Sequence, residues 1–131
     1  MSKKYLAKII AKDSQGLQLI SACTSEAKIK IKEIKYLPKS KIFLFSMERS
    51  VLEMDKKDQK INSICKFEFV DSVKSKNINQ KDIDLEINLI AIDLLKNNKN
   101  YDINLIFTNN AYITLSTEIV EVTLEDQNPK D

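Results

Sequence analysis

The side chains on which most enzymes depend are scarce in this chain of 131 residues. It contains no histidine, so it has no imidazole to act as a general base, to activate a serine or cysteine nucleophile, or to bind a metal. Its single glycine, Gly16, cannot form a glycine-rich loop around a phosphate or a dinucleotide. We therefore expect a protein without enzyme activity, without a cofactor and without a metal site.

Arg49 is the residue whose type most strongly suggests binding. It is the only arginine, and lysine cannot replace the planar, five-donor guanidinium at a bidentate site. Arg49 is predicted to end a strand and to enter a charged loop, which is a common position for binding residues. We therefore name Arg49, Glu53 and Tyr36 as interaction candidates. The alternative is structural, with Arg49 paired to Glu53 or Glu48 so that it closes the loop.

A stripe of lysines follows one predicted hairpin and offers a second kind of binding surface. It consists of Lys28, Lys30, Lys32, Lys35, Lys39 and Lys41. Such a stripe could meet the phosphates of a nucleic acid, but nucleic-acid surfaces usually also carry arginine and aromatic side chains, and only Tyr36 is near. The alternatives are a solvated strand face or a charged sheet edge that prevents aggregation. The outward acids Asp84, Glu86 and Asp102 would then cancel the charge locally.

Two pairs of carboxylates stand close enough in the sequence for acid–base chemistry, Asp82 with Asp84 and Glu118 with Glu121. Residues two apart, such as Asp82 and Asp84, share one face of a strand. Nothing in the surrounding sequence predicts that either pair is desolvated. Both pairs are therefore interpreted as solvated surface acids, and they also lack the loop spacing and glycine of a calcium site.

The cysteines and the hydropathy pattern indicate the cellular compartment of the protein. Cys23 and Cys65 are far apart in the sequence and are predicted to be buried and reduced. The longest apolar stretch, Leu89 to Leu95, is interrupted by Asp93 and is far shorter than the roughly twenty residues of a membrane-spanning helix. The N-terminus has no secretory cleavage site. We expect a cytoplasmic protein that does not associate with a membrane.

The first part of the chain predicts a strand and then a helix. Tyr5–Ala11 has the composition of a short strand. Asp13 offers an N-cap oxygen, and the apolar residues after it recur at helical spacing, which predicts a helix over about 13–25. Gly16 falls in the first turn of this helix, where its cost to helix stability is smallest.

Alternation of apolar and polar residues predicts strands over most of the remaining chain. The apolar phase slips between Ile31 and Ile34, so a bulge is expected near Lys32–Glu33. Residues 50–60 are rich in charge and are predicted to form an exposed loop. Asn109-Asn110 is a two-residue turn that tolerates positive φ. The predicted strands lie at about 28–36, 43–47, 61–75 with a bend, 83–95, 101–107 and 111–115.

These elements predict an α+β, β-rich fold of six to seven strands with one N-terminal helix. We expect a strongly bent antiparallel sheet or a partly closed barrel of the pleckstrin-homology kind. Residues 117–125 alternate as a strand would but also suit a short helix, and we favour the strand. One domain should span residues 1–125, with a frayed tail over 126–131. The expected core comprises Leu17, Ile20, Ile31, Phe43, Phe45, Phe67, Leu89, Ile103, Leu105 and Ile113.

A set of residues spread over nearly the whole chain is shared with a known family. The set comprises Leu19-Ile20-Ser21-Ala22, Ile34–Lys39, Phe43, Glu48-Arg49 with Glu53, Val73–Ile78, Leu89-Ile90-Ala91 and Glu118 to Asp126. On these residues the chain resembles a bacterial family known only as domain-of-unknown-function family 2948. Where the family tends to have Trp, Asn and Gly, this chain has Leu52, Glu48 and Asn77. Asn tolerates left-handed backbone, so we expect a positive-φ turn at Asn77. The resemblance implies no activity, cofactor or partner.

Taken together, these patterns favour a non-catalytic protein-interaction or regulatory module. Its protein partner, of unknown identity, would bind the loop from Arg49 to Glu53 and the adjoining strand surface. The alternative is a nucleic-acid-binding accessory domain that uses the hairpin Lys28–Lys41. Binding to phosphates should weaken steeply as the salt concentration rises, whereas a protein interface should weaken much less. The sequence carries no signal for an oligomeric state.

Overall fold

The computed structural model describes the backbone of residues 6–51 and 56–127 and the side chains of residues 6–50 and 60–127. These residues form one α-helix, α1 (Ser14–Thr24), one 3-10 turn (Ile31–Glu33) and ten strands. Over the same ranges, no helix is long and apolar enough to cross a bilayer. The strands are β1 (Lys8–Ala11), β2 (Lys28–Lys30), β3 (Ile34–Leu37), β4 (Ile42–Val51), β5 (Lys56–Phe67), β6 (Val70–Lys76), β7 (Glu86–Asn97), β8 (Asn100–Phe107), β9 (Ala111–Thr117) and β10 (Val122–Asp126).

All the strands belong to one antiparallel sheet with the order β1-β10-β5-β4-β2-β7-β8-β9-β6, and β3 pairs with β4 outside this path. The predicted β-rich fold, a bent antiparallel sheet with an N-terminal helix, is confirmed, and the sheet does not close into a barrel. The strand count in the described ranges is ten, so the predicted six to seven is wrong. The bulge predicted near Lys32–Glu33 and the bend predicted within residues 61–75 each coincide with a break that divides one predicted strand into two.

The 3-10 turn at Ile31–Glu33 changes the strand neighbours of the chain. β2 lies between β4 and β7, whereas β3 pairs with β4 along its whole length and has no second partner among the described strands. The amides of Ile31 and Lys32 donate to the carbonyls of Leu85 and Ile83, each at 3.0 Å. The turn therefore absorbs the slip in apolar phase for which the sequence predicts a bulge.

α1 begins and packs as its sequence predicts. The Oδ1 atom of Asp13, the N-cap, accepts a hydrogen bond of 2.8 Å from the amide of Gly16. Leu17 and Ile20 are buried where the helix packs on β1, β4 and β7. A Cβ atom at Gly16 would lie 3.0 Å from both Cα and Cβ of Ala11 in β1. The only glycine in the chain thus lets the first turn of α1 cross β1 at close range.

β4 continues to Val51 and β5 begins at Lys56, so the exposed loop predicted for residues 50–60 is wrong at residues 50–51 and 56–60. Val51 lies opposite Lys56, and the pairing of the two strands shifts register between Ser50 and Val51. Residues 52–55 lie outside the described residues. Strand formation depends on the neighbouring strand more than on composition. β5 therefore pairs with β4 although its first residues are rich in charge.

Asparagines occupy the tight turns of the sheet. Asn77, Asn109 and Asn110 have φ angles of 62°, 64° and 57°, which confirms the positive φ predicted at both places. The side-chain amide of Asn77 donates to the carbonyl of Asn110 at 2.8 Å. The turn between β8 and β9 and the end of β6 are therefore tied to each other.

Replacing Asn77 with valine should make the protein about 1–2 kcal/mol less stable than replacing it with glycine, because a β-branched residue is strained in left-handed backbone. Both variants lose the hydrogen bond to Asn110, so the difference between them measures the backbone strain alone. Asn77→Gly itself should be nearly neutral. Urea denaturation of the wild type and the two variants measures these differences, and equal stability of the two variants would contradict the assigned turn.

The buried apolar side chains form one contiguous core. Every predicted core residue is buried, and so is Ala27, just beyond the helix. Phe43, Phe45 and Phe67 lie together, with ring centroids 6.0–6.2 Å apart, a separation at which aromatic pairs are favourable. The core thus fills the inside of the bent sheet, and α1 covers part of it.

Candidate functional site

Arg49 lies in β4, and its side chain has no exposed surface. Its guanidinium forms a bidentate ion pair with Asp126 of β10: Nε donates to Oδ1 at 3.1 Å, and Nη2 donates to Oδ1 and Oδ2, each at 2.9 Å. Nε also donates to Oγ of Ser63 at 3.1 Å, and Nη1 donates to the carbonyl of Ser50 at 3.2 Å. The donors that distinguish arginine from lysine are used inside the protein.

Asp126 completes this buried network. Its Oδ1 atom accepts a hydrogen bond of 2.5 Å from Oγ of Ser63, and its Oδ2 atom accepts one of 2.8 Å from the amide of Ala7. The amide of Asp126 donates in turn to the carbonyl of Ala7 at 2.9 Å. The Arg49–Asp126 pair therefore ties β4, β5, β10 and the segment before β1 together.

This arrangement revises the predicted interaction site. The guanidinium of Arg49 is in the interior rather than exposed beside residues 50–60, so no partner can reach it without unfolding the network. Asp126 is a carboxylate partner of Arg49 that the sequence analysis did not name. Glu48, one of the two acids suggested there, is exposed, and Glu53, the other, lies outside the described residues. The predicted boundary after residue 125 is also wrong at its first residue, because β10 includes Asp126.

The lysine stripe is exposed, as predicted, but acids lie beside much of it. The ammonium of Lys32 is 3.4 Å from a carboxylate oxygen of Asp84, and that of Lys41 is 3.0 Å from one of Asp71. The hydrogen bond and charge of Asp71 raise the pKa of Lys41. In the sheet register, Lys28 lies opposite Glu48 and Lys30 lies opposite Glu86. These neighbours reduce the positive potential that a nucleic acid would meet.

The predicted carboxylate pairs do not form a desolvated site. Asp82, Asp84 and Glu118 are exposed. Glu121 is partly buried and interacts with Glu68, an acid that the sequence gave no reason to pair with it. The hydrogen bond between the two side chains raises the pKa of Glu68, because it favours the protonated carboxyl that can donate it. Among the described residues, no cluster of three or more acids and cysteines has the arrangement of a metal site.

A gap in the sheet separates β3 from β6. Over the described residues, β3 pairs only with β4 and β6 pairs only with β9, so each has one free edge. The gap narrows at one end, where the amide of Val70 donates to the carbonyl of Lys41 at 2.8 Å. The loop 77–85 bounds the other end, and its carbonyls hold the 3-10 turn. We call this gap the β3–β6 seam.

A cavity of about 420 Å³ opens at the β3–β6 seam. Ile34 lines it on the β3 side, Val73 and Ser75 on the β6 side, and Ile78 and Ile83 on the loop, so most of the lining is apolar. Its base is formed by side chains of the core. The volume lies within the range of about 300–1,000 Å³ that is usual for ligand-binding pockets.

Tyr36, the third interaction candidate, lies at this cavity. Its ring lines the opening, and its hydroxyl donates to the carbonyl of Val70 at 2.9 Å, across the seam. Tyr36 is therefore well placed for contact with a bound group, whereas Arg49 is not. The cavity was not predicted because strands distant in the sequence form it.

Large apolar side chains are exposed around the seam. Leu37 at the end of β3 is 44% exposed, Ile83 in the loop is 56% exposed, and Phe69 just before β6 is 41% exposed. Phe69 also has a φ of 60°, a conformation that is strained for an aromatic residue. Its neighbours hold it there, since the amides of Glu68 and Val70 donate to the carbonyls of Glu121 and Lys41. An aromatic ring is thus presented to solvent at the cost of backbone strain.

One family model matches residues 7–131, and its description is a protein of unknown function, DUF2948. The chain belongs to the DUF2948 family. No curated protein and no solved structure matches it. The resemblance seen in the sequence is confirmed over nearly the whole chain, and the family description assigns no activity.

Two positions at which this DUF2948 chain departs from the family pattern can be placed in the structure. Asn77, where the family tends to have glycine, has positive φ, so a small residue is favoured there for backbone reasons. Glu48 is exposed on β4. Leu52 lies outside the described residues.

Cys23 and Cys65 are buried as predicted, and burial raises the pKa of the Cys65 thiol, so this thiol stays protonated.

Proposed function

We propose that this DUF2948 protein is a non-catalytic protein-interaction module that binds its partner at the β3–β6 seam. One observation carries the proposal: an apolar cavity of about 420 Å³ opens between two strand edges that are unpaired in the described structure. Free strand edges bind extended segments of other proteins, and apolar pockets beside them receive side chains. No group in the seam has the arrangement of a catalytic site.

The surroundings of the cavity favour a protein over a small molecule. Ile83 lines the cavity and is exposed, and Leu37 and Phe69 are exposed apolar residues at the ends of the segments that flank the seam. Exposed aromatic and aliphatic side chains around a pocket are typical of protein interfaces, where a few such residues supply most of the binding energy. Phe69 supports the same interpretation, since strained residues cluster at functional sites.

The proposal places the binding surface away from the sequence-based candidate. Tyr36 stays in it, and Arg49 becomes a stabilising residue of the interior. Nucleic-acid binding by the Lys28–Lys41 hairpin is the alternative, and the acids beside Lys32 and Lys41 weigh against it. Binding through phosphates would also show a steep dependence on salt concentration.

Site-specific photo-cross-linking in the native cell tests the proposal. A benzophenone amino acid is placed at Leu37 or Phe69 beside the seam and, as a control, at Leu19, which is 53% exposed on α1. We expect a discrete protein adduct from positions 37 and 69 and none from position 19. The adducts should be resistant to nuclease. Adducts formed equally from all three positions, or only with nucleic acid, would overturn the proposal.

A cavity-filling variant provides the second test. Ser75→Trp places an indole in the cavity, while Ser25→Trp places one at an exposed position just after α1 that does not line it. Ser75→Trp should abolish the adducts and Ser25→Trp should keep them, provided that both proteins show the circular dichroism spectrum and melting temperature of the wild type. Adducts that survive Ser75→Trp would place the partner elsewhere.

A further inference from the structure

The outward face of β6 carries charges that the proposed function does not explain. Lys74 and Lys76 are exposed, and so is Lys35 on β3 across the seam. In the described structure none of these three lysines forms an ion pair. Lys32 and Lys41, near the two ends of the seam, already pair with Asp84 and Asp71. The two free strand edges therefore carry three exposed lysines that have no ion-pair partner in the described structure.

β6 presents a different chemistry on each of its two faces. Val73 and Ser75 line the apolar cavity. Lys74 and Lys76 alternate with them and point to the other side of the sheet, because successive residues of a strand face opposite ways. A strand added at the edge of β6 would continue both faces. Its alternate side chains would enter the cavity, and those between them would lie beside the lysines.

Resting on the proposed function, we propose that the partner segment is an extended strand in which apolar and acidic residues alternate, and that it pairs with the free edge of β6. Backbone hydrogen bonds to Ser72–Lys76 supply part of the affinity. Apolar side chains in the cavity supply another part. Acidic side chains opposite Lys74, Lys76 and Lys35 select the segment and set its register.

Labelled synthetic peptides test this proposal by fluorescence anisotropy. The first is the capped heptapeptide Glu-Ile-Glu-Val-Glu-Ile-Glu. The second has the same residues in two blocks, so the alternation is lost, and the third has lysine in place of every glutamate. We expect the first peptide to bind the wild type at least about tenfold more tightly than either of the others. Only the first peptide can place apolar side chains in the cavity and acidic side chains beside the lysines of β6 at the same time.

Reversing the charges on β6 distinguishes strand addition at its edge from nonspecific electrostatic attraction between the peptide and the protein. The double variant Lys74→Glu, Lys76→Glu should weaken binding of the acidic peptide by at least about tenfold and should now bind the lysine peptide. The control variant Lys96→Glu, Lys99→Glu reverses two exposed charges on the β7–β8 hairpin and should change neither affinity by more than about twofold. Hydrogen exchange should show new protection of the β6 amides when the acidic peptide is bound.

Each outcome decides the proposal. Equal binding of the alternating and block peptides, or an acidic peptide that binds the Lys74→Glu, Lys76→Glu variant as well as it binds the wild type, would overturn it. The lysines would then be charges that protect a free edge from aggregation. If cross-links at Leu37 and Phe69 still form in that case, the interaction module stands and only its strand-addition mode fails. If both experiments fail, the proposed function falls as well.

Discussion

Replacing Asp126 with asparagine should lower the free energy of unfolding by about 3–5 kcal/mol, the usual result of removing one partner of a buried ion pair. The side chains of Arg49 and Asp126 are 0% and 1% exposed. Asparagine keeps the size of the side chain but removes the negative charge of Asp126 from beside the buried guanidinium. Arg49→Lys should also destabilise the fold, because a single ammonium cannot replace the bidentate donors. Urea denaturation followed by circular dichroism measures both losses.

The control for this prediction lies one residue away in the same strand. Glu125 pairs with Lys8 at 3.4 Å, but both side chains are exposed, so Glu125→Gln should cost no more than about 1 kcal/mol. The double variant Arg49→Met, Asp126→Leu removes both charges and should recover much of the stability lost in Asp126→Asn. A loss below about 1 kcal/mol for Asp126→Asn would contradict the structural role of the pair.

The same measurements decide between the two sequence-based interpretations of Arg49. A binding residue should tolerate Arg49→Lys without loss of stability, whereas a buried one should not. The buried position predicts a lower melting temperature for this variant. Any loss of partner capture by it would then follow from the weaker fold, so capture by Arg49→Lys is not a test of the β3–β6 seam.

Local features of the fold were predictable because local residues determine them. Asp13 caps α1, and the apolar residues that follow it form one face of the helix. The predicted ends of the helix therefore agree with the observed ends to within about one residue. The turn at Asn109-Asn110 was equally readable, since asparagine tolerates the backbone that a tight hairpin requires. In strands such as β8, apolar and polar residues alternate, so the sequence also predicts which side chains face the core.

Features that depend on distant strands were not predictable in this way. The charge of residues 50–60 suggests a loop, but residues 50 and 51 belong to β4 and residues 56–60 belong to β5, which pairs with it. The β3–β6 seam exists because the 3-10 turn gives β3 a single partner and because β6 ends the sheet, and neither fact is encoded in a short window of sequence. The cavity follows from that topology, so its lining residues, such as Val73 and Ile78, carried no local signal of a site.

The sequence contains a local indication that Asp126 is buried and could pair with Arg49. Val122, Leu124 and Asp126 are spaced by two residues, and a strand that buries the first two also turns the third inward. The polar composition of residues 126–131 instead predicts a frayed tail, since polar residues near a terminus usually fray. A lone arginine in a lysine-rich chain calls for a buried carboxylate with matching geometry, and the inward phase of the last strand is where such a carboxylate was to be found.

Replacing Ile103 with alanine should lower the free energy of unfolding by about 2–5 kcal/mol, because removing a large core side chain loses its burial and leaves a cavity. Ile103 is 1% exposed and lies in β8 between Leu94 of β7 and Leu115 of β9. Ile10→Ala is the matched control: Ile10 also lies in a strand but is 55% exposed, so the loss there should stay near 0.5 kcal/mol, roughly the size of ordinary surface substitutions. Urea denaturation should show a lower midpoint for Ile103→Ala with an unchanged m-value, since the surface exposed on unfolding is nearly the same. Equal stability of the two variants would mean that β8 does not bury the face on which Ile103 lies.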